Sequence, residues 1–300
     1  MRTDLHLHSD FSLDGEFSPE ELAKICSRHG VTRASLTDHN CVRGTRRFME
    51  AARQEGIQAV AGTELDCICR EVDLHLLGYG VDVHDVRYRE AEEEILEQKR
   101  ETSRERVRIL REMGIRFEES RVWQLARDGI VTGEMIAEAA LADERNRNLS
   151  LLEPYRPGGA RAENPYVNFF WDFCSQGKAA FLPIRYPSFE KACRLIRETG
   201  GAAVIAHPAN TVGRREELIQ YMAQQGAEGL EVFSSYHNSG DIQYYRKLAK
   251  QYGLVMTAGS DFHGKTKPSV QPGLLKAMEE EDRFNLENWL NSRFPDGVGA

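Results

Sequence analysis

Short apolar runs alternate with helical patterns along most of this chain, and the residues that close those runs are histidines, aspartates and glutamates. Strand–helix alternation requires a sheet whose strands are joined by packed helices, so the expected class is α/β with a largely parallel sheet or barrel. Thr3 to Leu7 reads as the first strand. Ser18-Pro19-Glu20-Glu21 then opens a helix. The serine serves as N-cap, the proline suits the first turn, Glu21 completes a capping box, and Gly30 ends the helix. Further strands are expected at 34–37, 57–63 and 72–79, with a charged helix over 43–55. The same rhythm returns late in the chain, with helices at 188–199, 213–225 and 239–252 and strands at 202–206, 229–233 and 254–259.

Between these two parts the rhythm breaks. Residues 84–113 form one long charged helical stretch in which both signs interleave at i,i+4 spacing, the pattern of a solvated helix face. Shorter helices follow at 118–127 and 133–142, then a Gly-rich segment from Tyr155 to Arg161 and an aromatic helix from Tyr166 to Phe173. Phe169, Phe170, Trp171 and Phe173 run nearly continuously and read as core, not as a stacking platform. The organisation expected is a core made of 1–84 and 186–300, with 85–185 inserted as a helical cap.

The polar residues fall where an α/β barrel keeps its chemistry, at the C-terminal ends of strands and in the loops beyond them. The first strand ends in His6-Leu7-His8, and alternation along a strand points both imidazoles to one side. Asp14 follows in the loop. Thr37-Asp38-His39-Asn40 ends the second strand, Gly62-Thr63-Glu64 the third, and the fourth contains His75. His207 and the pair Asp261 and His263 close two later strands, with Glu231 and His237 flanking the end of the strand between them. Any one of these is weak evidence. Six histidines and three carboxylates at the ends of several strands are the donor set that suits zinc, manganese or iron, with several ions close together.

Composition narrows the partners. The chain has 300 residues and a formal charge of −8, which disfavours a phosphate backbone and hence long nucleic acid. No apolar run approaches the roughly 20 residues that span a bilayer. The first residues are too polar for a signal peptide. With no export signal, six scattered cysteines suggest a reduced, cytoplasmic protein whose thiols are small buried side chains. Oligomeric state is left open.

Four motifs carry a resemblance to a known family: Asp4-Leu5-His6-Leu7-His8-Ser9, Thr37-Asp38-His39-Asn40, Ile205-Ala206-His207-Pro208 and Gly259-Ser260-Asp261-Phe262-His263. As a set the chain resembles the polymerase and histidinol phosphatase (PHP) family of metal-dependent phosphoesterases. The resemblance implies a distorted (β/α)7 TIM-like barrel and a site for two or three divalent ions (Mn, Zn or Fe). Carried over residue by residue, it implies His6, His8, Asp14, His39, Glu64, His75, His207, Asp261 and His263 as ligands, and Asp38 as the catalytic-site residue that orients a ligand histidine.

The helical insertion looks like the cap of the small-molecule branch of that family. Where nucleotide phosphatases of that branch carry an Arg-Thr-His-type element, this chain has Thr132-Gly133-Glu134, and it has its own stretch from Tyr155 through Asn164-Pro165-Tyr166. That departure favours a small ribose phosphate as substrate. The specific expectation is stepwise hydrolysis of 5-phosphoribosyl 1,2-cyclic phosphate by a water that the metals activate. His237 is the expected general acid for the leaving alkoxide. Arg43, Arg156, Arg161 and Arg185 are the candidates to hold a second, non-reacting phosphate. The alternatives are a phosphatase of AMP or 3′,5′-bisphosphate nucleotides, a 5′–3′ exonuclease on short RNA, and, from another class, a non-catalytic metal-binding module.

Overall fold

The computed structural model describes residues 2–273 and 278–295, so residue 1 and 296–300, the outer ends of the expected core segments, lie outside it. Seven strands form one sheet in chain order: β1 (Thr3–Leu7), β2 (Arg33–Leu36), β3 (Gln58–Cys69), β4 (Val72–Tyr79), β5 (Ala202–Ile205), β6 (Gly229–Ser234) and β7 (Val255–Gly259). Helices α1 (Pro19–Arg28) and α2 (Thr45–Gln54) join the first three strands. The segment after β4 holds α3 (Val86–Glu112), α4 (Glu119–Leu125), α5 (Gly133–Leu141) and α6 (Pro165–Phe173). Helix α7 (Phe189–Glu198) leads into β5, α8 (Pro208–Thr211) and α9 (Glu216–Gln224) lead into β6, and α10 (Ser239–Tyr252) leads into β7. A last helix, α11 (Glu280–Arg293), was not foreseen; its Leu286 and Leu290 are buried in the main core.

The outer helices form because each carries one apolar stripe. In α7, Phe189, Ala192, Cys193 and Ile196 are buried, an i, i+3, i+4, i+7 pattern that faces the sheet. Helix α1 starts as expected, with the Ser18 hydroxyl accepting the Glu21 N–H and the Glu21 carboxylate accepting the Ser18 N–H. All six cysteines are free and buried. Among the described residues no helix is long and apolar enough to cross a membrane.

The sheet is parallel except at β4, which runs antiparallel to both β3 and β5. Only Arg70 and Glu71 connect β3 to β4, both in the left-handed region (φ 47° and 71°). Two residues can close a hairpin but cannot make the crossover that a parallel pair needs. The sheet curls into a nearly closed barrel. The Asp261 N–H donates to the His6 carbonyl (2.8 Å) and the His8 N–H to the Phe262 carbonyl (3.0 Å), joining the segment after β7 to β1.

Asp4 completes this seam. Its Oδ1 accepts the Ser260 N–H (2.8 Å) and its Oδ2 the Gly273 N–H (2.7 Å), and the side chain is fully buried. Burial pushes its pKa up from the ordinary aspartate range to about 6 against these hydrogen bonds. An acid whose pKa is raised by folding stabilises the fold while protonated and loses that contribution as pH rises through the folded value. The stability of the wild type relative to Asp4→Asn is therefore expected to fall by roughly 2–3 kcal/mol between about pH 4 and 6. Urea unfolding of both proteins across that range checks it; a pH-independent difference contradicts the assignment.

The segment from α3 to α6 has its own apolar core, which includes Val107, Leu110, Phe117, Val122, Ile136, Leu152 and Phe169. It is tied to the barrel at several points. Arg127 donates to the carbonyls of Asp10 and Ser12 (3.1 Å each), and Lys265 pairs with Glu138 (2.7 Å). The first of these contacts braces the loop that carries Asp14.

Candidate active site

Side chains from six of the seven strands or the loops that follow them meet at one end of the barrel. Glu64, fully buried on β3, is the hub. Its Oε2 lies 3.2 Å from His6 Nε2, His8 Nε2 and His39 Nδ1, while its Oε1 lies 3.1 Å from His75 Nδ1 and His207 Nε2. Asp261 Oδ1 is 3.2 Å from His6 Nε2 and 3.1 Å from His8 Nε2. Asp14 Oδ2 is 3.3 Å from His263 Nε2, and the rings of His8 and His263 stack with centroids 3.9 Å apart. All nine residues carried over from the family resemblance are thus brought together.

Within that cluster three groups have donor atoms within 4.8 Å of one another: His6, His8, Glu64 and Asp261; His8, His39 and His263; and His39, Glu64 and His75. The donor atoms are poorly served by the protein itself. Asp14 Oδ1, His39 Nδ1, Glu64 Oε2, Asp261 Oδ1 and His263 Nε2 are buried without a hydrogen-bond partner. Buried polar atoms are rarely left so, and a set of oxygens and imidazole nitrogens converging in this way fits divalent cations. Burial drives a carboxyl pKa up, but His6, His75 and His39 hold Glu64 well below the usual range. Burial likewise opposes the charged form of His8, yet Asp261 and Glu64 raise it to about 9.

Neighbouring groups engage the outward nitrogen of three of the rings. His6 Nδ1 lies 2.9 Å from Glu231 Oε1, and the other oxygen of Glu231 accepts the His207 N–H (2.8 Å). His8 Nδ1 lies 3.0 Å from the Ser12 hydroxyl, which donates to Asp38 Oδ1 (2.8 Å). His263 Nδ1 lies 2.9 Å from the Asp261 carbonyl. With Nδ1 of His6, His8 and His263 engaged by these groups, Nε2 of each of the three rings is the nitrogen turned toward the centre. Asp38 thus reaches His8 through Ser12. Gly259 is required here: a Cβ would fall 2.2 Å from that of His6 and 2.4 Å from Glu231 Oε1.

Asn40 (φ 54°), His207 (φ 20°) and Asp261 (φ 56°) hold positive φ at three strand ends of this cluster. Non-glycine residues in this region cost about 1–3 kcal/mol each and cluster where geometry matters more than stability.

The cluster floors a cavity of ≈ 380 Å³ roofed by the inserted helices. Several expected residues are not there. His237 is buried but does not line the cavity. Its Nδ1 bonds the Val232 carbonyl (2.8 Å), its Nε2 accepts the Ala209 N–H (3.4 Å), and burial lowers its pKa, so it is a neutral structural imidazole. None of the four expected arginines lines the cavity either. Arg43 is taken up by Glu92 (2.7 Å) and Arg161 by both oxygens of Asp172 (3.0 Å each). Arg185 is exposed beside Gln98, and Arg156 is half-buried in its loop away from the cavity.

In their place the cavity wall carries Lys99, Arg106, Arg215 and Lys267. Two of these lie on α3, so that helix is not simply a solvated face: Glu92, Ser103 and Arg106 are buried along it. Asp66, two residues after Glu64 on the same face of β3, was also missed. It lies 3.3 Å from His75 Nε2 and 3.4 Å from Lys99 Nζ. The aromatic helix divides: Phe169 goes to the core, but Phe170 and Trp171 line the cavity opposite no single stacking face, with Tyr236 edge-on to Trp171 (6.3 Å).

Comparison with known proteins agrees with this geometry. The PHP domain model matches residues 4–253. The chain belongs to the PHP domain family. Two relatives of this PHP chain each share 29% identity with it. One is the phosphoribosyl 1,2-cyclic phosphate 1,2-diphosphodiesterase of Eggerthella lenta, aligned over 88% of this chain and 95% of that protein. The other is the 3′,5′-nucleoside bisphosphate phosphatase of Chromobacterium violaceum, aligned over 87% and 86%. Among solved structures, an amidohydrolase from Chromobacterium violaceum with bound sulfate and no metal superposes with TM-score 0.74 at 26% identity, covering 95% of this chain and 97% of that one. This PHP protein is a metal-dependent hydrolase of phosphoric esters.

Proposed function

We propose that this PHP phosphoesterase hydrolyses a small ribose phosphate, 5-phosphoribosyl 1,2-cyclic phosphate being the substrate that best suits it, in two successive steps. The observation that carries this reading is Glu64. One carboxylate faces His6, His8 and His39 with one oxygen and His75 and His207 with the other, which suits two or three ions held side by side. The nine residues of the cluster would hold them. Divalent ions bound there supply Lewis acidity, which lowers the pKa of a water and neutralises charge on the phosphoryl oxygens.

The chain does the rest. Glu231, Ser12 with Asp38, and the Asp261 carbonyl hold the imidazoles of His6, His8 and His263 in orientation. Phe170, Trp171 and Tyr236 keep bulk water from the reacting phosphate. Lys267 is buried in the cavity wall, where Asp261 keeps its ammonium charged; it would neutralise charge on the departing oxygen, the task expected of His237. One site of this kind serves both the diester and the monoester that its opening leaves, because the same groups meet a phosphoryl oxygen each time.

A nucleotide is the second reading, favoured by Phe170, Trp171 and Tyr236, whose apolar surface has room beside it for a base. A substrate panel separates the two. Protein loaded with Mn, Zn or Fe is assayed on 5-phosphoribosyl 1,2-cyclic phosphate, AMP, adenosine 3′,5′-bisphosphate and a short RNA. The cyclic phosphate is expected to give the highest kcat/KM by at least about tenfold, with two bonds cleaved in sequence. Preference for the bisphosphate moves the assignment to the nucleotide reading, and hydrolysis of none of them refutes both.

A further inference from the structure

We propose that Arg106, on the inserted helix α3, is the anchor for a second, non-reacting phosphate group of the substrate, a role that rests on the phosphoesterase reading above. The side chain is 8% exposed and lines the cavity. Its Nη1 donates to the Val131 carbonyl (2.9 Å), which fixes the guanidinium plane, while its Nε is buried with no partner. No carboxylate oxygen lies within ion-pair distance of it among the described residues; the acid acting on it is Glu134 of α5, a buried carboxyl on the same cavity whose pKa burial pushes up to about 7. A buried guanidinium that leaves its Nε without an acceptor, next to a carboxyl that burial drives toward its neutral form, is a place where an anion supplies the missing partner.

Of the other cations of the cavity wall, two face a carboxylate and the third, Arg215, is exposed. Lys267 pairs with Asp261, Lys99 lies 3.4 Å from Asp66, and Arg215 donates to the carbonyls of Val212 and Thr211 (2.7 Å each). Arg106 is thus the buried fork left over. Lys99 stands seven residues earlier on α3, two turns away and on the same face, so a ligand at Arg106 also lies along the line toward Asp66 and the ligand cluster. A planar fork with a free Nε matches two oxygens of a phosphate, and a phosphate held there is separate from the one over Glu64. The substrate class that fits has two phosphate groups on one small scaffold: one reacts, and one is held.

The test uses the full-length, metal-loaded protein and two probes, p-nitrophenyl phosphate and adenosine 3′,5′-bisphosphate. In Arg106→Gln the ratio of kcat/KM for the bisphosphate to that for the aryl phosphate is expected to drop by about tenfold or more, mostly through KM. Arg106→Lys keeps the charge without the fork and is expected to lie between the two, and it also serves if the glutamine variant does not fold. A ratio unchanged in both variants overturns the proposal. The phosphoesterase reading is refuted separately, by inactivity on the whole substrate panel above; should the wild type hydrolyse neither of these two probes, calorimetric titration with adenosine 3′,5′-bisphosphate and AMP decides Arg106. A second phosphate that tightens binding in the wild type but not in Arg106→Gln supports it. Equal gains in both proteins, or none in the wild type, refute it.

Discussion

Replacing Glu64 by glutamine is expected to lower kcat/KM by roughly 10³-fold or more and to reduce the number of ions bound per chain. The side chain keeps its size and hydrogen-bonding shape, so the fold survives, but the amide nitrogen now points at imidazoles 3.1–3.2 Å away on one side or the other. Glutamine offers one acceptor oxygen where glutamate offers two charged ones, and two of the three donor groups in the cluster include Glu64. Elemental analysis and activity are to be read together, with circular dichroism as the control for folding. Full metal content with full activity would exclude Glu64 as the hub, and with it the reading built on two adjacent ions.

Removing the metal should cost stability as well as activity. Five buried donor atoms of the cluster have no hydrogen-bond partner, so the apo site retains desolvation penalties that an ion cancels. An ion at 1,000 times its dissociation constant adds about 4 kcal/mol to the folded state. For a chain of this size that raises Tm by roughly 6 °C. The comparison is a chelator-treated protein against the same sample restored with Mn or Zn, followed by calorimetry, with Mg as a control for ions that bind imidazole weakly. Coincident melting curves would mean that the cluster does not bind ions tightly. An Asp4→Asn protein should show the same increment, because Asp4 closes the barrel seam and contributes no donor atom to the cluster.

Why the ligands were readable and the substrate groups were not follows from where each sits. His6, His8, His39, Glu64, His207, Asp261 and His263 lie at strand ends, where period-2 alternation and the topology of a barrel dictate which way a side chain turns. His237 sits in a loop after β6, where nothing periodic sets the phase; its neighbour Tyr236 reaches the cavity instead. Arg43 and Arg161 were judged by nearness in sequence to loops, but Glu92 and Asp172, distant in sequence, claim them. Arg106 is hidden in a helix whose charges look uniformly solvated, because there the distant Val131 segment, bonded to Ser103 and Arg106, lies against it, and the helix's own pattern does not show that. Glu231 and Asp66 follow the same logic. Each is a carboxylate within a strand whose importance comes from a histidine on another strand.

The reversal of β4 has a consequence for how such a protein can diverge. Because β4 runs down, the chain leaves the barrel at the end opposite the ligand cluster, where Tyr88 meets Thr199 (2.8 Å) just before β5. Helix α3 must climb back, and its 27 residues span about 40 Å, enough to carry Lys99 and Arg106 to the cavity. It is a ruler laid along the barrel. Adding or removing one residue near its start turns everything beyond by about 100° and trades Arg106 for a neighbour, while every strand keeps its place. On the proposed role of Arg106, substrate choice would be written mainly in α3 and the ligand set mainly in the strands, with Arg127 and Lys99 as the points where the two stretches touch.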